Sequence, residues 1–337
     1  MTNSVGVVIP CRNEERSIRP CIESVFNSKY QGEVMVVVVD GMSTDKTKEV
    51  VSELTSIYPN LALLENLKKS TPNGLNIGLK YLNTDVKIIL GAHATVDVDF
   101  IRNNVLTLKE QSKAGCVGGI IENIYENETA RRIGLAMSSP FGVGNARFRT
   151  GGQDGWVDTV AFGAYRKEVF EQIGYFDESL IRNQDDEFNY RLISNDFKIY
   201  FTDRIKSNYH VRASFKNLYK QYFQYGYWKV YVNKKVKAIT SARQLFPAIF
   251  VASVYAGLIL SLFHVYFFLT LLIGLSIYLL AAVTFAIMKT KKINEIFYVV
   301  YAFMILHWAY GNGYIQGILS FVILGRDPSK TSQQITR

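Results

Sequence analysis

The chain has 337 residues, room for one large domain with an appendage or for two domains, and its 48% hydrophobic and 20% charged residues are ordinary averages. The net charge of +9 suits apposition to an anionic membrane leaflet; nucleic acid would account for it too, but no nucleic-acid-binding module accompanies it. Cys11, Cys21 and Cys116 are odd in number and spaced like neither a zinc site nor a disulfide framework, so they read as structural thiols of a reducing compartment.

Taken in chain order, Ser4–Pro10 reads as an apolar strand, and Glu15–Ser28 as a helix with Ile18, Cys21, Ile22 and Val25 on one face. Glu33–Val39 is a β-branched strand, and Lys46–Tyr58 a helix opened by Ser43, Thr44 and Asp45. Leu61–Leu64, Asn73–Tyr81 and Val86–Leu90 continue the alternation as strand, helix and strand, and Phe100–Glu110 is helical. Such alternation with continuous apolar strands predicts a parallel sheet covered by helices on both faces. Ligands of such sheets bind beyond the carboxyl ends of the strands, which singles out Pro10–Glu14, Asp40–Thr44 and Gly91–Thr95. Asp40 ends a fully apolar strand, and turn chemistry does not demand a carboxylate there; Ser43 and Asp45 are explained as well by helix capping as by ligand binding. Neither the dinucleotide glycine fingerprint nor the P-loop motif is present.

Past Arg243 the composition changes. Gln244 to Gly325 is nearly free of charge except for Lys289, Lys291 and Lys292. Phe246–Phe263 and Val265–Met288 approach or exceed the roughly 20 residues that cross a bilayer. Ile296–Leu324 is long enough but interrupted by His307, Gly311, Asn312, Gly313 and Gln316. Lys234, Lys235, Lys237 and Arg243 before the first span, and the lysines after the second, predict a hairpin with both flanks cytoplasmic. Met1–Asn3 runs straight into the first strand with no apolar leader, so the soluble part is expected to stay on the side where it is made. Between the two parts, Lys216–Val232 interleaves aromatics with lysines, the pattern of an amphipathic helix in the headgroup plane.

Val7-Val8-Ile9-Pro10-Cys11-Arg12-Asn13-Glu14-Glu15, Val38-Val39-Asp40-Gly41-Met42-Ser43-Thr44-Asp45 and Asn183-Gln184-Asp185-Asp186-Glu187 resemble the family 2 glycosyltransferases of the GT-A fold. Ser70-Thr71-Pro72-Asn73-Gly74-Leu75-Asn76, Ala92-His93-Ala94, Val157-Asp158-Thr159-Val160-Ala161-Phe162-Gly163-Ala164 and Gln221-Tyr222-Phe223-Gln224-Tyr225-Gly226 narrow the resemblance to the membrane-bound succinoglycan-biosynthesis subgroup. It covers roughly Val5 to Tyr227. The resemblance implies a Rossmann-like mixed sheet of GT-A type at 1–214, an interfacial aromatic segment at 215–243, a transmembrane region of about three helices at 244–325 and a polar tail at 326–337.

The same resemblance implies an inverting transfer of sugar from a nucleotide donor, a UDP-sugar, to a lipid-linked saccharide in surface or exopolysaccharide biosynthesis, at a cell membrane with the catalytic domain cytoplasmic. Rival readings are direct glycosylation of a lipid such as a polyprenyl phosphate or diacylglycerol, and a non-catalytic scaffold. The resemblance assigns Asp185 as catalytic base and Pro10, Arg12, Glu14, Asp40, Lys69, Asn76 and Ala92 to the nucleotide sugar. Asp158, Asp186, Arg191, Gln221 and Trp228 would position acceptor or donor. Gly91 stands where the family carries the first Asp of its metal motif, leaving His93, with His210, as the expected ligands of a Mn2+ or Mg2+ ion; the alternative is that Lys or Arg side chains neutralise the leaving group and no metal is needed. Imidazole in place of a hard carboxylate tilts the expectation toward Mn2+. Asp97 and Asp99 follow too late after the strand and read as helix-start residues.

Overall fold

The computed structural model describes residues 3–211 and 214–326. Among them nine strands form one sheet: β1 (Val5–Cys11), β2 (Val34–Asp40), β3 (Leu61–Glu65), β4 (Val86–Ile89), β5 (Ala94–Val96), β6 (Ala114–Ile124), β7 (Gly155–Val157), β8 (Ala161–Arg166) and β9 (Lys198–His210). The order is β3-β2-β1-β4-β8-β6-β9-β5, with β7 on β9. The first four are parallel, whereas β8 runs antiparallel to β4 and to β6, which makes the sheet mixed.

Alternation along the strands feeds two cores. Val36 and Val38 join Val7 and Ile9 in one, which α1 (Ile18–Phe26) completes with Ile18, Cys21, Ile22 and Val25. Val37 and Val39 join Val8 in the other, against Leu75 and Leu79 of α3 (Thr71–Tyr81), with α2 (Thr47–Thr55) preceding it in the chain. Successive side chains point to opposite faces of a strand, so an unbroken valine run is what a sheet covered twice requires. The helices α4 (Phe100–Glu110), α5 (Glu128–Met137), α6 (Pro140–Val143), α7 (Arg147–Thr150), α8 (Lys167–Ile173) and α9 (Gln184–Ser194) follow.

The chain divides into two compact units, residues 1–123 with 151–210, and 124–150 with 211–337. The continuous 1–214 catalytic region expected from sequence is therefore interrupted, because α5 to α7 count with the C-terminal helices. Those are α10 (Phe215–Val236), α11 (Phe246–Ser261), α12 (Val265–Lys289) and α13 (Ile293–Gly317).

Within this second unit α10 and α13 touch backbone to backbone. A Cβ on Gly226 would stand 2.0 Å from the Tyr310 carbonyl oxygen, and one on Gly313 would stand 2.0 Å from that of Phe223. Tyr227, Trp228, Val230 and Val232 of α10 are buried. Arg131 of α5 pairs with the buried Glu295 of α13, which also accepts a 2.5 Å bond from the Thr290 hydroxyl. Phe141 of α6 sits among Tyr278, Phe285 and Phe303, and its carbonyl oxygen meets His307 Nε2 at 2.8 Å.

The residues that interrupt the third apolar segment do not break it. It runs as one helix to Gly317 and continues through Ile318–Ile323 as a π-helical turn. Gly313 and Gly317 meet α10, Gly311 meets α11, and Asn312 accepts from the Tyr255 hydroxyl of α11 at 2.7 Å. Ala242–Ser261, Val265–Lys289 and Ile293–Ile323 are each long and apolar enough to cross a membrane.

Candidate active site

The register of the parallel strands aligns Cys11, Asp40 and Glu65 side by side at their carboxyl ends. Antiparallel β8 enters at that same edge, since Ile88 pairs with Ala164. Asp158 and Thr159 lie between β7 and β8, where they lead into that strand.

Asp40 is completely buried. Its Oδ2 accepts the Ser43 N–H at 2.9 Å, its Oδ1 accepts the Ser43 hydroxyl at 2.5 Å, and Lys48 Nζ lies 3.8 Å away. Ser43 also accepts the Asn13 N–H at 2.9 Å, while Asn13 Oδ1 accepts the Thr44 N–H at 2.8 Å. Glu14 N–H reaches Thr47 Oγ1 at 2.8 Å and Glu15 N–H reaches Asp45 Oδ2 at 3.2 Å. The loops after β1 and β2 are laced together, with Asn13 and Met42 both at positive φ (56° and 59°). Ser43 is thus a bridge between the loops, and the residue before α2, Lys46, makes no side-chain cap.

Pro10 and Arg12 are half-buried on the first of these loops. Ala92 is buried in the turn that Ala94 N–H closes on the Gly91 carbonyl at 3.0 Å. His93 is 38% exposed, its Nδ1 stands 3.8 Å from Glu14 Oε1, and its ring meets Tyr209 edge-on. The β5–β9 ladder begins with Ala94 opposite Tyr209, and His93 and His210 are the next residue on each strand. Among the described residues no three His, Cys, Asp or Glu side chains stand close enough to hold an ion. His210 does not complete a protein-only metal site with His93.

Lys69 is exposed with φ +61°, and the neighbouring Lys68 is held by Glu178 at 2.9 Å. Asn76 is committed elsewhere: its amide donates to the Phe176 carbonyl at 2.8 Å and accepts the Phe176 N–H at 2.9 Å. Hydrogen bonds from Lys68 and Asn76 hold the Glu178 carboxyl below the usual range. Asn76 therefore acts on the Phe176–Glu178 loop, with both of its amide N–H donors engaged there.

The acidic stretch opens α9, with Asp185 exposed, Asp186 half-buried and Glu187 buried. A helix N-terminus stabilises negative charge, so three carboxylates in one turn are tolerated. Glu187 and Arg191 form a bidentate pair at 2.8 and 2.9 Å, and Arg191 also donates to the carbonyls of Ile173 and Tyr175. Arg191 thereby fastens the segment after α8. One turn beyond Asp185, Asn189 donates to Thr159 Oγ1 at 3.1 Å and ties α9 to the start of β8. Burial above all raises the Tyr165 phenol well above its ordinary range, with Cys116 and the charge of Asp185 adding to it. Burial likewise raises all three thiols, Cys21 to about 12, so they stay protonated and unreactive.

Gln221 and Trp228 belong to the second unit. Gln221 donates to the Tyr225 hydroxyl at 2.9 Å. Trp228 is fully enclosed, with its ring against those of Phe321 and Tyr231.

Residues 6–174 match the family described as Glycosyl transferase family 2. The chain belongs to glycosyltransferase family 2. Two similar family proteins are long matches. Over 232 residues it is 38% identical to the dolichyl N-acetyl-alpha-D-glucosaminyl phosphate 3-beta-D-2,3-diacetamido-2,3-dideoxy-beta-D-glucuronosyltransferase of Methanococcus voltae, covering 66% of this chain and 72% of that one. It is 30% identical over 261 residues to the succinoglycan biosynthesis protein ExoA of Rhizobium meliloti, covering 76% and 78%. The solved mannosyltransferase PcManGT of Pyrobaculum calidifontis, in complex with GDP-Man and Mn2+, shares the fold at a TM-score of 0.64 and 15% identity, over 94% of this chain and 88% of that one. The protein is a glycosyltransferase of GT-A architecture with three helices able to span a membrane.

Sequence reasoning missed Ser43 as a bridge and Asn189 as a tie. A sharper signal was available for Asn189, a polar residue four positions after Asp185 on the face that Phe188 and Leu192 bury.

Proposed function

We propose that this family 2 enzyme takes a sugar from a nucleotide donor, a UDP-sugar, and joins it with inversion to a lipid-linked saccharide during surface or exopolysaccharide assembly. The observation that carries the reading is Asp185, an exposed carboxylate in the first turn of α9, a helix that Asn189 ties to Thr159 just ahead of β8. Inversion needs one carboxylate that takes the acceptor proton as its oxygen attacks, with the nucleotide leaving from the opposite face. Asp185 takes that proton, and Asp158 and Asp186 orient the hydroxyl. Asp40 holds the base through its laced loop, and Lys69 and Arg12 offer positive charge to the diphosphate.

His93, at the position matching the family's metal motif, suits a divalent ion whose remaining ligands are diphosphate oxygens, because two or fewer protein donors gather there. Such an ion supplies charge neutralisation for the leaving diphosphate. The names of the two long-matching relatives, one acting on a dolichyl-linked sugar phosphate and one in succinoglycan biosynthesis, support a lipid-linked acceptor. The three long apolar helices support a multi-pass protein of the cell membrane with its catalytic domain cytoplasmic.

The test is a screen of sugar nucleotides for hydrolysis and transfer by the full-length protein in detergent, beside Asp185→Asn. Loss of the base is expected to cost about 10²–10⁴-fold in rate, with nucleotide Kd changed by less than a few-fold. Near-normal turnover in Asp185→Asn would remove it from the role.

A further inference from the structure

We infer that Glu14 supplies, from the loop after β1, the carboxylate that the chain lacks at Gly91, so that Glu14 and His93 together are the protein's half of a divalent-metal and diphosphate site. The inference rests on the donor-site reading above and adds a ligand that the metal motif itself does not contain. Three observations carry it.

The first is proximity. Glu14 Oε1 stands 3.8 Å from His93 Nδ1, although 79 positions separate them in the chain. Two donors about 2.1 Å from one six-coordinate ion stand roughly 3 Å apart when adjacent and about 4.2 Å apart when opposed. The observed spacing falls between these limits.

The second is orientation. The other oxygen of Glu14, Oε2, accepts the Ser17 hydroxyl at 2.8 Å, and the Glu14 carbonyl caps α1 by accepting the N–H groups of Ser17 and Ile18 at 3.0 and 2.9 Å. The carboxylate is thus fixed from behind with Oε1 directed at the imidazole. A carboxylate oriented by a hydrogen bond to its second oxygen is the arrangement metal ligands use.

The third is the space at position 91. A Cβ there would stand 3.2 Å from Phe162 Cε1, tighter than most such contacts. Phe162 holds φ +49°, a strained value for an aromatic residue, where the β6–β8 ladder shifts register. The ring crowds the place a side chain at 91 would use, and Glu14 approaches from the next strand over, since β1 and β4 are neighbours.

Mixed carboxylate and imidazole donors suit Mn2+ better than Mg2+, which prefers oxygen alone. The test is Mn2+ binding, read by the loss of the free-ion electron paramagnetic resonance signal, to the full-length protein in detergent with UDP or GDP present. Glu14→Gln and His93→Ala are each expected to weaken Mn2+ binding about tenfold or more. Ser17→Ala, which frees the carboxylate without removing it, is expected to weaken it less. Asp97→Asn is expected to leave it unchanged. Glu14→Gln keeps an oxygen acceptor for Ser17, and an unchanged melting temperature verifies its fold. Equal Mn2+ affinity in wild type and Glu14→Gln, with His93→Ala impaired, would overturn the role of Glu14 and leave the donor-site reading standing. No Mn2+ binding by wild type with either diphosphate would overturn the metal site as a whole, Glu14 included.

Discussion

Ser43 changes what Asp40 is worth. Because the Asp40 carboxylate already takes two bonds from Ser43, a nucleobase must share it or displace the hydroxyl. Asp40→Ala is expected to weaken nucleotide binding by roughly 1.5–3 kcal/mol, the value of a hydrogen bond to a charged group, and calorimetry reads it. Ser43→Ala separates the two contributions: it should lower the melting temperature, through about 1 kcal/mol per lost bond, while leaving an Asp40 oxygen open to the base. If Ser43→Ala abolishes nucleotide binding, the hydroxyl itself is the contact. The thiols give a second prediction. Cys21 keeps its proton to about 12 in the fold against an ordinary 9.0, so the stability it contributes is complete below 9.0 and is lost as pH climbs toward 12. At pH 8 an aromatic disulfide reagent is expected to leave Cys11, Cys21 and Cys116 unmodified until the protein unfolds; rapid reaction of the native protein would contradict their burial. Asp40 and Asp185 drew attention in the sequence because a carboxylate after an apolar strand, or in a matched acidic run, stands out by type. Ser43 and Asn189 were not, because a hydroxyl or amide in a turn or helix has several local explanations and only the fold selects among them.

The first strands and helices follow from periodicity alone, and their ends moved by only a few residues, as with Ser4–Pro10 against Val5–Cys11. The later strands, β6 to β9, did not stand out. β6 carries Gly115, Gly118 and Gly119, and β9 mixes Lys198, Asp203, Arg204 and Lys206 into its alternation, so neither shows a clean apolar run. The glycines of the third apolar segment were misleading in the same way: read as breaks, they are contacts. Gly313→Ala and Gly226→Ala are each expected to force α10 and α13 apart, at a cost of about 1–3 kcal/mol or more for overpacking. Faster proteolysis and a lower melting temperature in detergent would show it; unchanged melting would mean the helices do not pack at this distance. Gly311→Ala is expected to act on α11 instead, where the new Cβ would meet the Pro247 carbonyl oxygen at 2.4 Å.

Across the whole chain, if all three apolar helices cross, the residues before the first and after the third lie on opposite sides of the bilayer. A reporter that is active only outside the cytoplasm, fused after Arg326, is expected to be active, and the same reporter in the loop at Lys291 silent, because the basic residues there favour the inner side. A silent reporter after Arg326 would make the third segment re-entrant. The division of the chain has an outcome in time as well as in space. Synthesis delivers α5 before any of the helices it is packed with, and a nascent chain folds from its N-terminal side. Until α13 is made, α5 lacks the helix it packs against most, and Arg131 lacks Glu295. The half-made protein thus holds α5 with its apolar face incompletely covered while the ribosome is still translating α13.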